Sequence, residues 1–250
     1  MDHNYILEAK NIYKKFGSVI ALKGVNFEVK YKEVIGLIGD NGAGKSTLIN
    51  ILSGLYPPDK GEIWIKGRLI KDYNVKKARE LGIETIYQKS SLVENHTVWR
   101  NIFMNRELTN SLGFIKIDDC KKITEKLIRD IGLKSNISAD SIVRYLSGGE
   151  RQGIAIARTM IGNKDLLLLD EPTANLSLIE VDKVLTYIKE IKNIGRSCVF
   201  VTHNIYHVYD VADRFIIIDR GEIKGEYTKN EISLNELLNE MRRIVHIRHE

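Results

Sequence analysis

The pattern of hydrophobic and polar positions begins with short strands. Residues 6–10 and 21–28 carry β-branched and apolar side chains between turns, which is typical of antiparallel strands. Residues 34–38 read Val-Ile-Gly-Leu-Ile, as expected of a strand covered on both faces in a parallel sheet. Apolar residues then recur at helical spacing from 46 to 52, and Gly54 stands where a helix C-cap belongs. The pattern predicts a strand, a glycine-rich loop and a helix in that order.

Two later apolar runs end in polar residues. Residues 166–169 are four leucines followed by Asp170, and residues 198–201 are followed by Thr202 and His203. Open parallel sheets bind ligands at the carboxyl ends of their strands. We therefore expect Asp170 and His203 at the ligand-binding edge of a sheet.

The remaining sequence is more helical. Residues from about 89 to 158 form a mainly helical, polar-faced stretch, which we interpret as an inserted subdomain. Apolar residues at helical spacing near the end of the chain predict a helix that packs on the core or on another subunit: Leu234, Leu237, Leu238 and Met241. We expect a single domain over residues 1–250, divided into a catalytic core with a β subdomain (1–88 and 159–228), a helical subdomain (about 89–158) and a C-terminal helix or tail (229–250).

Composition narrows the class of protein. The chain of 250 residues is 43% hydrophobic and 28% charged, as in an ordinary soluble globular protein. No apolar run approaches about eighteen residues, and the N-terminus shows no secretory signal. The net charge of +5 could suit nucleic acid, but Lys and Arg are spread along the chain, so we expect no nucleic-acid partner. Cys120 and Cys198 are expected to be buried and reduced.

Residues 39–47 form a complete G-x-x-x-x-G-K-[ST] phosphate-binding loop. Its glycines allow successive N–H groups to face inward as an anion nest, and the following helix adds its positive end. Lys45 is expected to reach the β- and γ-phosphates of a nucleoside triphosphate, and the Ser46 hydroxyl to bind Mg²⁺. The predicted nucleotide-binding residues of this loop are Gly39, Asp40, Asn41, Gly42, Ala43, Gly44, Lys45, Ser46 and Thr47.

Two further motifs extend this chemistry. An apolar strand places Asp170 near Mg²⁺, through water, while the adjacent Glu171 can polarise the attacking water. Residues 146–150 read Leu-Ser-Gly-Gly-Glu and supply a second glycine-rich anion loop, with a helix beginning near Glu150. A lone Ser-Gly-Gly is a common turn, but this one lies between the phosphate loop and the acidic pair. Two phosphate cradles for one nucleotide suggest that a single copy does not complete the active site.

Together these motifs resemble the ATP-binding cassette ATPases in identity, order and spacing, over essentially the whole chain. The resemblance implies an α/β P-loop NTPase (RecA-like) fold: a mixed-sheet core, an N-terminal antiparallel β subdomain and an inserted helical signature subdomain. It also implies two cassettes bound head to tail, each ATP lying between the phosphate loop of one copy and the signature loop of the other. The signature residues that match are Ser147, Gly148, Gly149 and Glu150.

The resemblance assigns roles to further residues. Gln88 matches the residue that senses Mg²⁺ and the γ-phosphate and links to the membrane subunit. His203 matches the histidine that contacts the γ-phosphate and orients Glu171, the catalytic base. Phe16 matches the aromatic residue that stacks on adenine, with Tyr13 as a weaker candidate.

The segments around the catalytic motifs are most similar to the cassettes of bacterial monosaccharide importers, of the ribose, fructose and galactose type. They are residues 82–88, 92–93, 97–98, 101–104, 203–208 and 211–214. Those proteins often carry two cassettes in tandem, whereas this chain has one, which implies a homodimer. The resemblance further implies Mg²⁺ with ATP, integral-membrane permease subunits, an indirectly acting solute-binding protein, and a peripheral location on the cytoplasmic face of the membrane.

One departure and several alternatives remain. The dimer-interface loop of the family usually ends in Asp, whereas residues 174–177 end in Ser177. An importer for a branched-chain amino acid or nucleoside is the main alternative. A soluble cassette of DNA maintenance or translation would need a long coiled-coil insertion or tandem cassettes, and a GTPase would need an N-K-x-D motif. A zinc site at His203 and His207 has no third ligand in view.

Overall fold

In the computed structural model, which describes residues 4–87, 92–133, 136–162, 164–174 and 176–246, the chain folds into a two-sheet α/β structure. The strands are β1 (Tyr5–Phe16), β2 (Val19–Lys30), β3 (Val34–Ile38), β4 (Lys60–Ile65), β5 (Arg68–Leu69), β6 (Ile83–Ile86), β7 (Leu166–Asp170), β8 (Ser197–Val201), β9 (Arg214–Asp219) and β10 (Glu222–Thr228). The helices are α1 (Lys45–Leu52), α2 (Val75–Glu80), α3 (Val98–Phe103), α4 (Ile117–Asp130), α5 (Gly148–Met160), α6 (Leu178–Asn193), α7 (Ile205–Val211) and α8 (Leu234–His246), with a 3₁₀ turn at Val143–Tyr145.

The two sheets differ in strand direction. An antiparallel sheet has the order β2-β1-β4-β5, and a six-stranded sheet has the order β10-β9-β3-β8-β7-β6. In the larger sheet β9, β3, β8, β7 and β6 are parallel, and β10 adds an antiparallel edge. The carboxyl ends of β3, β7 and β8 therefore meet at one edge, where the phosphate loop, the Asp170-Glu171 pair and His203 lie.

Successive side chains of β3 point to opposite faces of the sheet and so contribute to two hydrophobic cores. Ile35 and Leu37 face the side on which α1 packs between the two sheets. Val34 and Ile38 face the opposite side, which α5, α6, α7 and α8 cover. Because both faces are covered, all five residues of β3 are buried, which explains why the sequence of this strand is apolar throughout.

A third core belongs to the segment predicted as helical. It joins Trp99 and Phe103 of α3, Leu127 of α4 and Ile154 of α5. Cys120 lies in this core, and Cys198 lies in the core that α5, α6, α7 and α8 cover. Both are buried free thiols, as predicted. Ala155 and Ile156 of α5 lie in the same core as Cys198. Helix α5 therefore joins the helical part of the molecule to the sheet.

The first hairpin is longer than predicted. The sequence predicts strands over residues 6–10 and 21–28, whereas β1 and β2 have twelve residues each. Phe16 pairs with Val19 across the two-residue Gly17-Ser18 turn, where Gly17 adopts a φ of 56°. The tight turn keeps charged residues of both strands in the ladder, although they interrupt the apolar pattern from which the strands were predicted.

The C-terminal helix packs on the core of its own chain, one of the two surroundings expected from its sequence. Leu237 and Met241 of α8 are buried in the core on the α7 side, together with Ile232. Among the described residues, none of the helices has the length and apolar character needed to cross a bilayer.

Gly36 allows α7 to approach β3 closely. A Cβ atom on Gly36 would lie 2.1 Å from Cγ1 of Val208 on α7, a distance that real Cβ contacts do not reach. Any larger residue would therefore force the Val208 side chain, or α7 with it, to shift. This is why a glycine interrupts an otherwise branched apolar strand.

We predict that Gly36→Ala lowers the free energy of unfolding by about 1–3 kcal/mol, because the added methyl overpacks the β3–α7 contact. Chemical denaturation measures the loss. Gly148→Ala is the matched control, since a Cβ there meets nothing within 4 Å. Adding Val208→Ala to Gly36→Ala should recover part of the loss; a double variant less stable than both single ones would show that the clash is not the cause.

Candidate active site

Glycines fix the loop between β3 and α1 against its neighbours. A Cβ on Gly39 would lie 2.2 Å from the backbone oxygen of Ile218 on β9. Gly44 has a φ of 110°, and a Cβ there would lie 2.8 Å from the backbone oxygen of Ala21 on β2. A Cβ on Gly42 would meet nothing within 4 Å. Glycine is favoured there because the backbone φ is 80°, a conformation that other residues rarely adopt. The loop is thus held between the two sheets.

Lys45 is buried within this loop. Its Nζ donates to the backbone oxygens of Gly39 at 2.7 Å and Asp40 at 2.9 Å. Burial lowers the pKa of Lys45, while the carboxylates of Glu171, Asp170 and Asp40 oppose that shift. The ammonium group is therefore held inside the loop by two backbone oxygens, and phosphate oxygens can replace these as acceptors.

Ser46 and Asp170 offer oxygen atoms to a cation. The Ser46 hydroxyl donates to Oδ1 of Asp170 over 3.2 Å, which links the start of α1 to the end of β7. Burial raises the pKa of Asp170 and the neighbouring Glu171 raises it further, against the Ser46 hydrogen bond and Lys45. A hydroxyl and a buried carboxylate fit Mg²⁺, which prefers oxygen ligands and keeps several water molecules or phosphate oxygens.

Glu171 and His203 form a pair beside Ser46 and Asp170. Nδ1 of His203 lies 3.1 Å and 2.9 Å from the two carboxylate oxygens of Glu171. Glu171 has a φ of 52°, and its N–H donates to the backbone oxygen of Val201 on β8. The Glu171 side chain is buried and His203 is exposed, so the imidazole covers the carboxylate from the solvent side. Such a carboxylate can accept a proton from a water molecule.

His207 belongs to a different set of contacts. It lies on α7, which begins at Ile205, so His203 is outside that helix. The two ring nitrogens of His207 contact Thr173 Oγ1 at 3.3 Å and the Asn204 side-chain amide at 3.1 Å. The two histidines therefore do not share one helix face.

A cleft of about 420 Å³ opens onto the loop. The described residues that line it are Phe16, Val19, Ile20, Ala21, Lys23, Asp40, Asn41, Gly42, Gly44, Lys45, Ser46, Thr47, Glu171 and Arg220. Phe16 stands at the mouth and meets Tyr56 edge to face, with ring centroids 5.5 Å apart. Tyr13 is not among the lining residues; its ring and hydroxyl pack against Gly24 instead.

Sequence reasoning missed the cationic side chains Lys23 and Arg220 in this cleft. They come from β2 and from the turn between β9 and β10. Hydrogen bonds at Gly221 bring these segments to the loop: Gly221 N–H donates to Ala43, and Lys23 N–H donates to Gly221, both over 2.8 Å. The turn-forming pair Arg220-Gly221 was the one available signal, but it does not reveal which segment the turn contacts.

The signature loop is a capped helix start. Ser147 Oγ accepts from the Glu150 N–H at 3.2 Å, and the Glu150 carboxylate accepts from the Ser147 N–H at 2.8 Å, a capping box at the start of α5. Residues 147–150 are absent from the described lining of the nucleotide cleft. Gly149 and Glu150 instead line a separate cavity of about 220 Å³ between α5 and α6.

Ser177 caps α6 at the position where the family usually has Asp. Its N–H and its Oγ donate to the same carboxylate oxygen of Glu180, at 2.9 Å and 2.8 Å. Ser177 is thus the N-cap residue of α6 and is bonded to Glu180 within its own chain. Gln88, predicted to sense Mg²⁺, lies outside the described residues, as does Asn175.

The family model described as ABC transporter matches residues 22–174, from β2 past Asp170 and Glu171. The chain belongs to the ABC transporter family. The prediction of an ATP-binding cassette ATPase is thereby confirmed.

Two curated relatives show how this cassette compares in length. It is 41% identical to the xylose/arabinose import ATP-binding protein XylG of Sulfolobus acidocaldarius over 93% of this chain and 92% of that protein. It is 34% identical to the ribose import ATP-binding protein RbsA of Caldanaerobacter subterraneus subsp. tengcongensis, over 94% of this chain. The match spans only 47% of that second protein.

Solved structures confirm the predicted fold class. A nucleotide-free ATP-binding cassette from an ABC transporter superposes with a TM-score of 0.82 at 23% identity, covering 98% of this chain and 99% of the other. The ATP-binding cassette MJ0796, in a dimeric post-hydrolysis state bound to ADP and Pi, gives a TM-score of 0.79 at 27% identity, covering 90% of this chain and 100% of the other.

We predict that Asp170→Asn raises the thermal midpoint of the nucleotide-free cassette at neutral pH. Burial raises the pKa of Asp170, so its ionised form is less favourable in the fold than in the unfolded chain, and stability is lost as pH rises through the folded-state pKa. The neutral amide removes that loss, and it should also weaken Mg²⁺-dependent nucleotide binding. Thermal unfolding at several pH values tests this: the gap between the two proteins should narrow toward acidic pH. A lower midpoint for Asp170→Asn at pH 7 would contradict the electrostatic explanation.

Proposed function

We propose that this cassette hydrolyses ATP to power the uptake of a small solute, a monosaccharide, through membrane permease subunits. The observation that carries the catalytic part is the Glu171–His203 pair at the carboxyl end of β7, beside the phosphate loop. The transport part is supported by two relatives, which are named as import ATP-binding proteins for xylose/arabinose and for ribose.

Each residue of the cleft has a role in this proposal. Phe16 stacks on adenine, and the N–H groups of the loop bind the phosphates. Lys45 exchanges its contacts with Gly39 and Asp40 for phosphate oxygens. Ser46, and Asp170 through water, would hold Mg²⁺, which when bound would neutralise charge on the phosphates. Gln88 is proposed as a further residue at this cation.

Glu171 performs the proton transfer. Its carboxylate orients the attacking water and accepts a proton from it, while His203 holds the carboxylate in place and contacts the γ-phosphate. The buried strand β7 and the hydrogen bond from Glu171 N–H to Val201 hold the backbone at Glu171, and the contact with His203 holds its carboxylate.

A second copy of this chain completes the site in trans. The separation of residues 147–150 from the cleft of their own chain supports this assignment, as does the dimeric form of the related cassette MJ0796. In the dimer, Ser147 and the N–H groups at the start of α5 contact the nucleotide held by the partner. The dimer lies on the cytoplasmic face of the membrane against the permease subunits, and a solute-binding protein delivers the solute to those subunits.

We predict that Glu171→Gln lowers the ATPase rate by about 10²-fold or more, because the amide cannot accept the proton. ATP should still bind and trap a dimer, which size-exclusion chromatography detects. Uptake of a radiolabelled monosaccharide should be lost in cells that carry only this variant. Glu190→Gln, an exposed change on α6, is the matched control and should leave all three readings at parental values.

The separate readings locate a failure. A parental ATPase rate in Glu171→Gln would show that another group is the base. Lost ATPase with unchanged uptake of every monosaccharide tested would leave the catalytic assignment intact and contradict the transport assignment.

We predict that Ser147→Arg abolishes ATP-dependent dimerisation and reduces turnover to the level of an isolated cassette. A long cation at the start of α5 obstructs the contact with the partner's nucleotide, while the cleft of the same chain is untouched. Titration of the monomer with a fluorescent nucleotide should give a nearly parental Kd. Ser111→Arg, an exposed position on the turn before α4, is the control. Loss of nucleotide binding by the Ser147→Arg monomer would contradict a role in trans.

A further inference from the structure

A buried carboxylate on β6 is surrounded by cations. Glu84 is almost fully buried, with its side chain only 1% exposed. Arg106 Nη2 lies 2.5 Å from its Oε2, Lys164 Nζ lies 3.6 Å from the same oxygen, and Arg79 Nε lies 3.5 Å from Oε1. The Glu84 carboxylate also raises the pKa of the nearby Arg158 guanidinium, against the larger effect of burial. A buried charge of this kind is tolerated only where it is paired.

The cations come from different parts of the molecule. Arg79 is on α2 and Lys164 precedes β7, so both belong to the sheet side. Arg106 follows α3 and Arg158 is in the last turn of α5, the helix that joins the third core to the sheet. Glu84 therefore forms ion pairs that connect the helical part of the molecule to the six-stranded sheet.

Arg106 makes the link from the helical side. One guanidinium nitrogen contacts Glu84, and Nη1 donates to the backbone oxygen of Arg158 at 3.3 Å. A cation at the carboxyl end of a helix is also favoured by the helix dipole. One side chain thus ties together the segment after α3, the last turn of α5 and strand β6.

The other end of α5 carries the signature loop. From Gly148 to Met160 the helix is about 18 Å long, at 1.5 Å per residue, so its anchored carboxyl end sets the direction of its amino end. Strand β6 pairs with β7 in a register that places Glu84 opposite Leu167, three residues before Asp170. The anchor of the signature helix is therefore on the strand next to the catalytic carboxylates.

We propose that Glu84 and Arg106 are a positioning pair that fixes α5 relative to the sheet and so determines where the signature loop meets the nucleotide of the second copy. This inference rests on the proposed in-trans role of the signature loop. The pair touches neither ATP nor the attacking water; it acts through α5.

The experiment compares Arg106→Gln with Arg79→Gln, each in the parental chain and in the Glu171→Gln background. Both remove one cation from Glu84, but only Arg106 connects to α5. Glu84→Gln is less informative, because it removes the shared counter-charge of several cations, among them the mostly buried Arg106 and Lys164. In Arg106→Gln, Arg79 and Lys164 still neutralise Glu84, so the chain should fold.

We expect Arg106→Gln to bind ATP as a monomer with a Kd within about twofold of the parental value. Its kcat and its ATP-dependent dimerisation should fall on the order of tenfold, since small misplacements of a contacting group cost that much. Arg79→Gln should stay within about twofold of the parent in all three readings. Arg106→Lys, which keeps the charge but not the two-nitrogen geometry, should give an intermediate kcat.

Three results would overturn the positioning pair: parental kcat and dimerisation in Arg106→Gln, equal losses in Arg106→Gln and Arg79→Gln, or a monomer of Arg106→Gln that no longer binds ATP. The last result would indicate a general loss of structure. If the Glu171→Gln parent itself fails to dimerise with ATP, the proposed in-trans site is wrong and this inference falls with it.

Discussion

The constraint on which the rest of the structure depends is the close packing of three backbone segments around the phosphate loop. The loop touches β9 at Gly39 and β2 at Gly44, while the turn after β9 bonds to Ala43 and to Lys23. Side chains at these glycines would force the segments apart. Because β2 belongs to the antiparallel sheet and β9 to the larger sheet, the same contacts join the two sheets and create the cleft between them.

Much of this arrangement could be predicted from local sequence. Residues 34–38 form the predicted strand, α1 begins one residue before the predicted start, and the four leucines before Asp170 form a buried strand. In these segments the local pattern agrees with the tertiary environment, since a strand covered on both faces must be apolar throughout. The glycine motif then determines the loop, because few other residues adopt its backbone conformation.

Contacts between distant segments could not be predicted in this way. Nothing near Arg220 or Lys23 in the sequence indicates that a turn and a hairpin converge on the nucleotide cleft. In the sequence, Glu84 looks like any charged residue in a short strand. Only the fold shows that cations from four separate segments surround it. Ser177 is a similar case: its departure from the family pattern is visible in the sequence, but its bonds to Glu180 are visible only in the fold.

The contacts of Lys45 have a consequence for the energetics of nucleotide binding. The ammonium group is held by the carbonyl oxygens of Gly39 and Asp40, so the loop satisfies its own cation. Ordering a flexible loop normally subtracts several kcal/mol from the affinity of a ligand. In the proposed function, Lys45 would exchange these carbonyl oxygens for phosphate oxygens, within a loop whose shape its glycines already determine. Under the proposed function, less of the binding energy of the nucleotide is therefore used to order the loop, and more of it is available for the association of two cassettes.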